Sequence, residues 1–194
     1  MKDIKKSADD RRKFFRIDDE AVLTYKTVSW QDALASQKSE ASLLVDKFAA
    51  KAHLDRLSRE LQPLYKVIKA SNSNIAEYLL TLDKKISLLS EYLIEEDDDT
   101  DIEPREVNIG GGGLLFVSDK PVAMGAMLEL KMKLLPEGTR IYSYAKVVSC
   151  EKLEDGAGKE DYKIAVEFEL MDDDVRDLIT RHVFLREQAL ANKA

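Results

Sequence analysis

The chain has 194 residues, enough for one domain with a sizeable insertion or for two small ones, and 44% are hydrophobic against 35% charged. No apolar run nears the roughly 20 residues of a membrane-spanning helix, and the charged N-terminus has no signal-peptide stretch, so the expected setting is cytoplasmic. One cysteine, Cys150, excludes an intramolecular disulfide; with only His53 and His182 beside it, it also excludes a thiolate-rich metal site, and the formal charge of −7 opposes nucleic-acid binding over a whole face.

Residues 1–16 carry Lys2, Lys5, Lys6, Arg11, Arg12, Lys13 and Arg16 against three aspartates and read as a basic arm. Arg16 to Val28 mixes β-branched and aromatic residues and suits a strand. From about Ser29 to Glu96 there is no glycine and a single proline, Pro63, and apolar residues recur every three or four positions, so a helical block is expected over 29–96.

Two stripes run through that block: Leu54, Leu57, Leu61, Leu64 and Ile68, then Ile75, Leu79, Leu82, Ile86, Leu89 and Leu93. Ser71-Asn72-Ser73-Asn74 separates them; its side chains compete with helix and offer caps, so two helices are expected rather than one. A further break is expected near Leu61 to Pro63, since proline disrupts a helix interior. Tyr78, Leu80, Leu88 and Tyr92 widen the second stripe beyond a two-position seam. The pattern fits an intramolecular hairpin or a bundle between subunits, and the area of the two stripes favours homo-oligomerisation, dimer to tetramer, through helices within 29–96.

Residues 97–103 are mostly acidic and read as a solvated linker; they lack the glycine and ligand spacing of a calcium-binding loop. Beyond them strand character returns at Leu114 to Val117, Met127 to Leu135, Ile141 to Cys150 and Tyr162 to Phe168, with glycine- and proline-containing turns between. Asp172, Asp173 and Asp174 suit a helix N-terminus, and Val175, Leu178, Ile179, His182, Val183 and Leu185 give that helix an apolar face. The expected fold is α+β, a small antiparallel β-barrel with a C-terminal helix and a long inserted helical segment.

Two segments carry chemistry suited to an anion. Arg12 and Arg16 stand four residues apart with Arg11 alongside, and guanidinium groups fork onto phosphate or stack on a purine; alone, the segment also fits a solvated basic tail. Asn108, Gly110, Gly111, Gly112 and Gly113 let backbone approach a ligand closely, with Asn108 offering both a donor and an acceptor to a base edge; alone, they also fit a hairpin turn. No Gly-Lys-Ser/Thr follows, so this is not a phosphate-binding P-loop. His53, His182 and Cys150 form no arrangement of a hydrolase or metalloprotease and read as packing or surface residues, so no enzyme is expected.

Together the segments resemble the PilZ domain, a bacterial receptor module for cyclic di-GMP. Its Arg-x-x-x-Arg motif is matched by Arg12 and Arg16, and its (Asp/Asn)-x-Ser-x-x-Gly motif by Asn108 and Gly113, with Gly110 where the motif has serine. The resemblance covers residues 9–28 and 104 to about 190, and it implies a barrel over 17–28 and 104–192 interrupted by the helical segment. It further implies cyclic di-GMP as ligand, no cofactor or metal, and Arg11, Arg12, Arg16, Asn108, Gly110 and Gly113 as contact residues. An unidentified effector protein is the implied downstream partner. The alternative is an oligomeric scaffold of the same fold that does not bind the nucleotide.

Overall fold

A computed structural model describes residues 15–38, 46–94, 102–153 and 161–192. Arg11, Arg12 and most of the acidic linker 97–103 lie outside the described residues. The strands are β1 Arg16–Val28, β2 Arg105–Gly110, β3 Gly113–Ser118, β4 Met127–Leu134, β5 Thr139–Leu153 and β6 Asp161–Leu170. The helices among the described residues are α1 Trp30–Lys38, α2 Lys47–Ser71, α3 Ser73–Ile94 and α4 Asp173–Ala191.

The strands join in the order β1-β2-β3-β6-β5-β4 and close into a ring, an antiparallel barrel within an α+β fold. Alternation explains it: Leu128, Leu130, Met132 and Leu134 on β4, Leu114 and Phe116 on β3, and Ile164, Val166 and Phe168 on β6 are buried at every second position. By contact density the chain divides into two compact units. One holds the described parts of Met1–Glu20, Glu106–Ala126 and Ala145–Ala194; the other holds those of Ala21–Arg105 and Met127–Tyr144.

In the first unit, β2 and β3 form a hairpin in which Gly110 pairs with Gly113, leaving Gly111 and Gly112 as a two-residue turn. β2 is absent from the strands expected from sequence, because only Val107 and Ile109 carry its inward alternation before the glycines begin. α4 buries Ile179, His182 and Val183, whereas Leu185, expected on that apolar face, is exposed.

In the second unit, α2 and α3 form an antiparallel hairpin. Lys51 Nζ donates to Ser90 Oγ at 2.8 Å, and Ser58 Oγ donates to Asp83 Oδ1 at 2.8 Å. The chain turns on Asn72 alone: its backbone is extended, its N–H donates to the Ile68 carbonyl at 2.7 Å, and its Oδ1 accepts from Ile75 N–H at 3.1 Å. One asparagine therefore stops one helix and caps the next, as its side-chain chemistry allows.

The break expected near Leu61 to Pro63 does not occur: α2 passes through Pro63 without interruption. Pro63 and its neighbours Leu61, Gln62 and Leu64 are exposed, so water can replace the missing N–H and the ring meets no packed neighbour. No helix among the described residues is long and apolar enough to cross a membrane.

Candidate functional site

Four of the six residues singled out from sequence are described, and all four lie in the first unit. Arg16 opens β1, and its side chain lies along the β2–β3 hairpin. A Cβ built on Gly110 would stand 2.7 Å from Arg16 Cγ, and one on Gly113 would stand 3.1 Å from Arg16 Nη2. The same two atoms would also strike backbone, the Phe15 carbonyl oxygen at Gly110 and the Val166 carbonyl oxygen at Gly113. Both positions exclude a side chain, since real Cβ atoms do not approach carbonyl oxygens so closely. The glycines are thus the bed on which an arginine rests.

Asn108 stands two residues before Gly110 on β2, and its Nδ2 donates to Asp18 Oδ1 at 2.8 Å. Asp18 stands two residues after Arg16, so the two strands present Arg16 beside Gly110 and Asp18 beside Asn108, in step on one face. A guanidinium, an amide and a carboxylate therefore converge within a few residues of a glycine turn. Phe15, which precedes Arg16, exposes its ring to solvent.

The turn is anchored from behind. Arg176, in the first turns of α4, donates from Nη1 to the Gly111 carbonyl at 2.5 Å, and the Phe168 N–H donates to the Gly112 carbonyl at 3.1 Å. Both turn carbonyls point into the protein, and the arrangement holds the hairpin tip in place.

A second polar cluster beside it was not foreseen. Asp19 is buried, and its carboxylate accepts from Arg186 Nε at 3.0 Å and Nη2 at 2.5 Å and lies 2.8 Å from His182 Nε2. Burial pushes the Asp19 carboxyl up, but hydrogen bonds from Arg186, His182 and the Glu20 backbone N–H outweigh it and hold it below its ordinary value. The sequence did hold a signal: Ile17, Asp19, Ala21 and Leu23 are the inward set of β1, and a carboxylate in such a set demands a cationic partner. His182 is accordingly a buried packing residue with a carboxylate partner, while His53 stands on α2 with its Nδ1 3.0 Å from Arg56 Nη2.

Cys150 is half-buried within β5 rather than at its end. No cluster of three or more His, Cys, Asp or Glu among the described residues is placed to hold a metal ion.

A family model described as PilZ domain matches residues 87–185, about half of the chain. That match begins in α3 and leaves out β1, so Arg16 lies outside it while Asn108, Gly110 and Gly113 lie within. No curated protein matches.

Among solved structures, a tetrameric PilZ-domain protein from Xanthomonas campestris, described as self-assembled through a helical bundle, is 14% identical. It aligns over 92% of this chain and 89% of its own, with a TM-score of 0.55, which is likeness of fold including the helical segment. MrkH of Klebsiella pneumoniae is 15% identical over 50% of this chain and 45% of its own, with a TM-score of 0.43. The PilZ domain of Escherichia coli YcgR, solved with c-di-GMP, is 17% identical over 48% of this chain and 79% of its own, with a TM-score of 0.37.

Proposed function

The chain belongs to the PilZ domain family, and from that premise we propose that it is a non-enzymatic receptor of cyclic di-GMP, oligomerised through the helices inserted between its first two strands. The observation that carries the reading is the lie of Arg16 along Gly110 and Gly113 with Asn108 on the same strand. The four described residues of the two motifs share one face, although more than 90 residues separate Arg16 from Asn108.

The chemistry suits that ligand. Arg12 and Arg16 offer planar forks to a phosphate or flat faces to a guanine, Arg11 adds charge, and Asn108 reads a base edge. Gly110 and Gly113 leave room for the Arg16 side chain to lie against the hairpin backbone. Gly110 supplies no hydroxyl where the family motif has one, which forgoes about 1 kcal/mol of hydrogen bonding.

Oligomerisation is supported by how the hairpin uses its residues. Among the described side chains of α3, those withdrawn from solvent are Ala76, Leu80, Asp83, Ser87 and Ser90, spaced by four and three. This mostly small and polar row meets α2, where Lys51 and Ser58 face it. The Leu/Ile rows are left out: Leu57, Leu61 and Leu64 on α2 and Ile75, Leu79, Leu82, Ile86 and Leu89 on α3 are exposed.

At about 100° per residue, each apolar row sits about 100° from its helix's seam in the same rotational sense. Because the helices are antiparallel, both rows then fall on one side of the hairpin. An apolar face of that length fits a second copy of the same hairpin, completing a bundle.

Titration calorimetry with cyclic di-GMP at moderate salt tests the receptor reading, run beside the Arg12→Ala/Arg16→Ala double variant with GTP as control. Micromolar or tighter binding by the parent chain, lost in the variant, is the expected result. Absence of heat and of thermal stabilisation at high ligand excess overturns it. In that case the ligand-independent scaffold stands, a reading favoured by Gly110 in the motif's serine position.

A further inference from the structure

We infer that Asp18 is a specificity-determining residue: by holding the amide nitrogen of Asn108 it keeps that side chain from flipping, turns its oxygen to the ligand and sets the site for guanine over adenine. The inference rests on the proposed cyclic dinucleotide site and deepens it.

A carboxylate only accepts hydrogen bonds, so an amide that meets it must present NH2. Asn108 Nδ2 lies 2.8 Å from Asp18 Oδ1, which fixes which end of the amide faces β1 and leaves Oδ1 as the end offered to a ligand. An unrestrained asparagine is the side chain best suited to adenine, because its oxygen accepts from the exocyclic amine while its nitrogen donates to the neighbouring ring nitrogen. With one of its two N–H donors engaged by Asp18, the Asn108 amide is kept from flipping and cannot turn its donor and acceptor freely onto that pair. The oxygen it keeps towards the ligand matches the two adjacent donors of guanine, N1–H and the 2-amino group, whereas adenine offers one donor beside an acceptor.

Asp18 also carries a cost that explains why its presence is informative. It places a negative charge two residues from Arg16, on the face offered to a doubly anionic ligand, and this weakens attraction for every cyclic dinucleotide alike. Charge therefore moves both affinities together, whereas the amide's orientation moves their ratio. The ratio is the quantity a merely electrostatic or structural role leaves unchanged.

The test measures Kd for cyclic di-GMP and for cyclic di-AMP on the full chain and on Asp18→Ala and Asp18→Asn variants, each checked by thermal melting. The side-chain amide resonances of Asn108 are followed by NMR without ligand. The expected result is a preference for the guanine ligand in the parent that shrinks about tenfold in Asp18→Ala, the scale of one base-edge pair. Asp18→Asn, which can accept or donate, is expected to fall between. The Asn108 amide protons are expected to shift upfield in Asp18→Ala, as a carboxylate acceptor is lost.

An unchanged ratio with intact folding overturns the assignment even if both affinities rise, and unchanged amide resonances overturn its geometric basis. If the parent binds neither dinucleotide, the receptor reading itself falls, and this inference falls with it.

Discussion

Asp19 of β1 and Arg186 of α4, 167 residues apart in the chain, meet through two guanidinium nitrogens, with Nε 3.0 Å and Nη2 2.5 Å from Oδ1. His182 Nε2 sits 2.8 Å from the other oxygen, so one buried carboxylate ties the start of the barrel's first strand to the last helix. Asp19 stands directly after Asp18 and three residues after Arg16, and Arg176 of the same helix grips the Gly111 carbonyl. α4 therefore fastens both halves of the candidate ligand site.

Removing the carboxylate from such a cluster leaves His182 buried and Arg186 half-buried without their charged partner. Asp19→Asn is expected to cost about 3 kcal/mol of unfolding free energy, because the neutral amide accepts more weakly from the cationic fork and turns a donor towards it. Urea denaturation followed by circular dichroism measures this. A loss under about 1 kcal/mol, in the range of an exposed pair, refutes the view that the cluster holds α4 in place.

The same cluster gives stability a pH dependence of defined sign. Asp19 is pushed up by burial but held below its ordinary value of 3.8 by Arg186 and His182, and Asp46 is likewise held down by Lys131 and the Ala49 N–H against its own burial. A carboxyl lowered in the folded state contributes stability that is fully present above the unfolded value and is lost as pH falls through the folded one. Urea midpoints are therefore expected to fall below about pH 4, with a shallower fall in Asp19→Asn. Parallel pH curves for parent and variant contradict this.

Much of this was legible in the chain. The strand composition of β1, the caps around Asn72 and the apolar periodicity of α2 and α3 follow from local stereochemistry, whereas the two motifs were legible only through their resemblance to a family pattern. What escaped depends on partners distant in sequence. Nothing near Asp19 announces His182, 163 positions away, although its place in the inward set of β1 marks it as needing one. Nor does periodicity alone tell which of two heptad rows on α3 meets α2, because Ala76, Leu80, Asp83, Ser87 and Ser90 recur at the same spacing as the Leu/Ile row. Pro63 misled for a related reason: its cost depends on exposure, which the sequence does not give.

The glycines of the hairpin are expected to resist substitution, including the one that would restore the family motif. Gly110→Ser adds the missing hydroxyl, but its Cβ meets the Phe15 carbonyl oxygen and stands 2.7 Å from Arg16 Cγ, so the start of β1 must shift. The gain of about 1 kcal/mol from a hydroxyl is outweighed by the displacement of Arg16, and affinity for cyclic di-GMP is expected to fall. Gly113→Ala, which meets the Val166 carbonyl, is expected to lower stability as well. Calorimetry and thermal melting of the two variants decide the matter; tighter binding by Gly110→Ser disproves the close fit of Arg16 to the hairpin.

The face proposed to carry assembly is distinguishable from the seam that closes the hairpin. Leu79 and Ile86 are exposed in the Leu/Ile row of α3, whereas Ala76 is buried against α2. Charging the outer row in Leu79→Glu/Ile86→Glu is expected to reduce the oligomer to a monomer in light scattering while the helical signal is kept, because each exposed apolar side chain removed from an interface forfeits about 1.5–3 kcal/mol. Ala76→Glu, by contrast, buries a charge in the seam and is expected to lower the melting temperature of the hairpin itself. An outer-row variant that keeps the parent's mass places the interface elsewhere. The exposed Tyr78, Leu88 and Tyr92, the last 70% exposed on the flank of the same helix, are then the next face to charge.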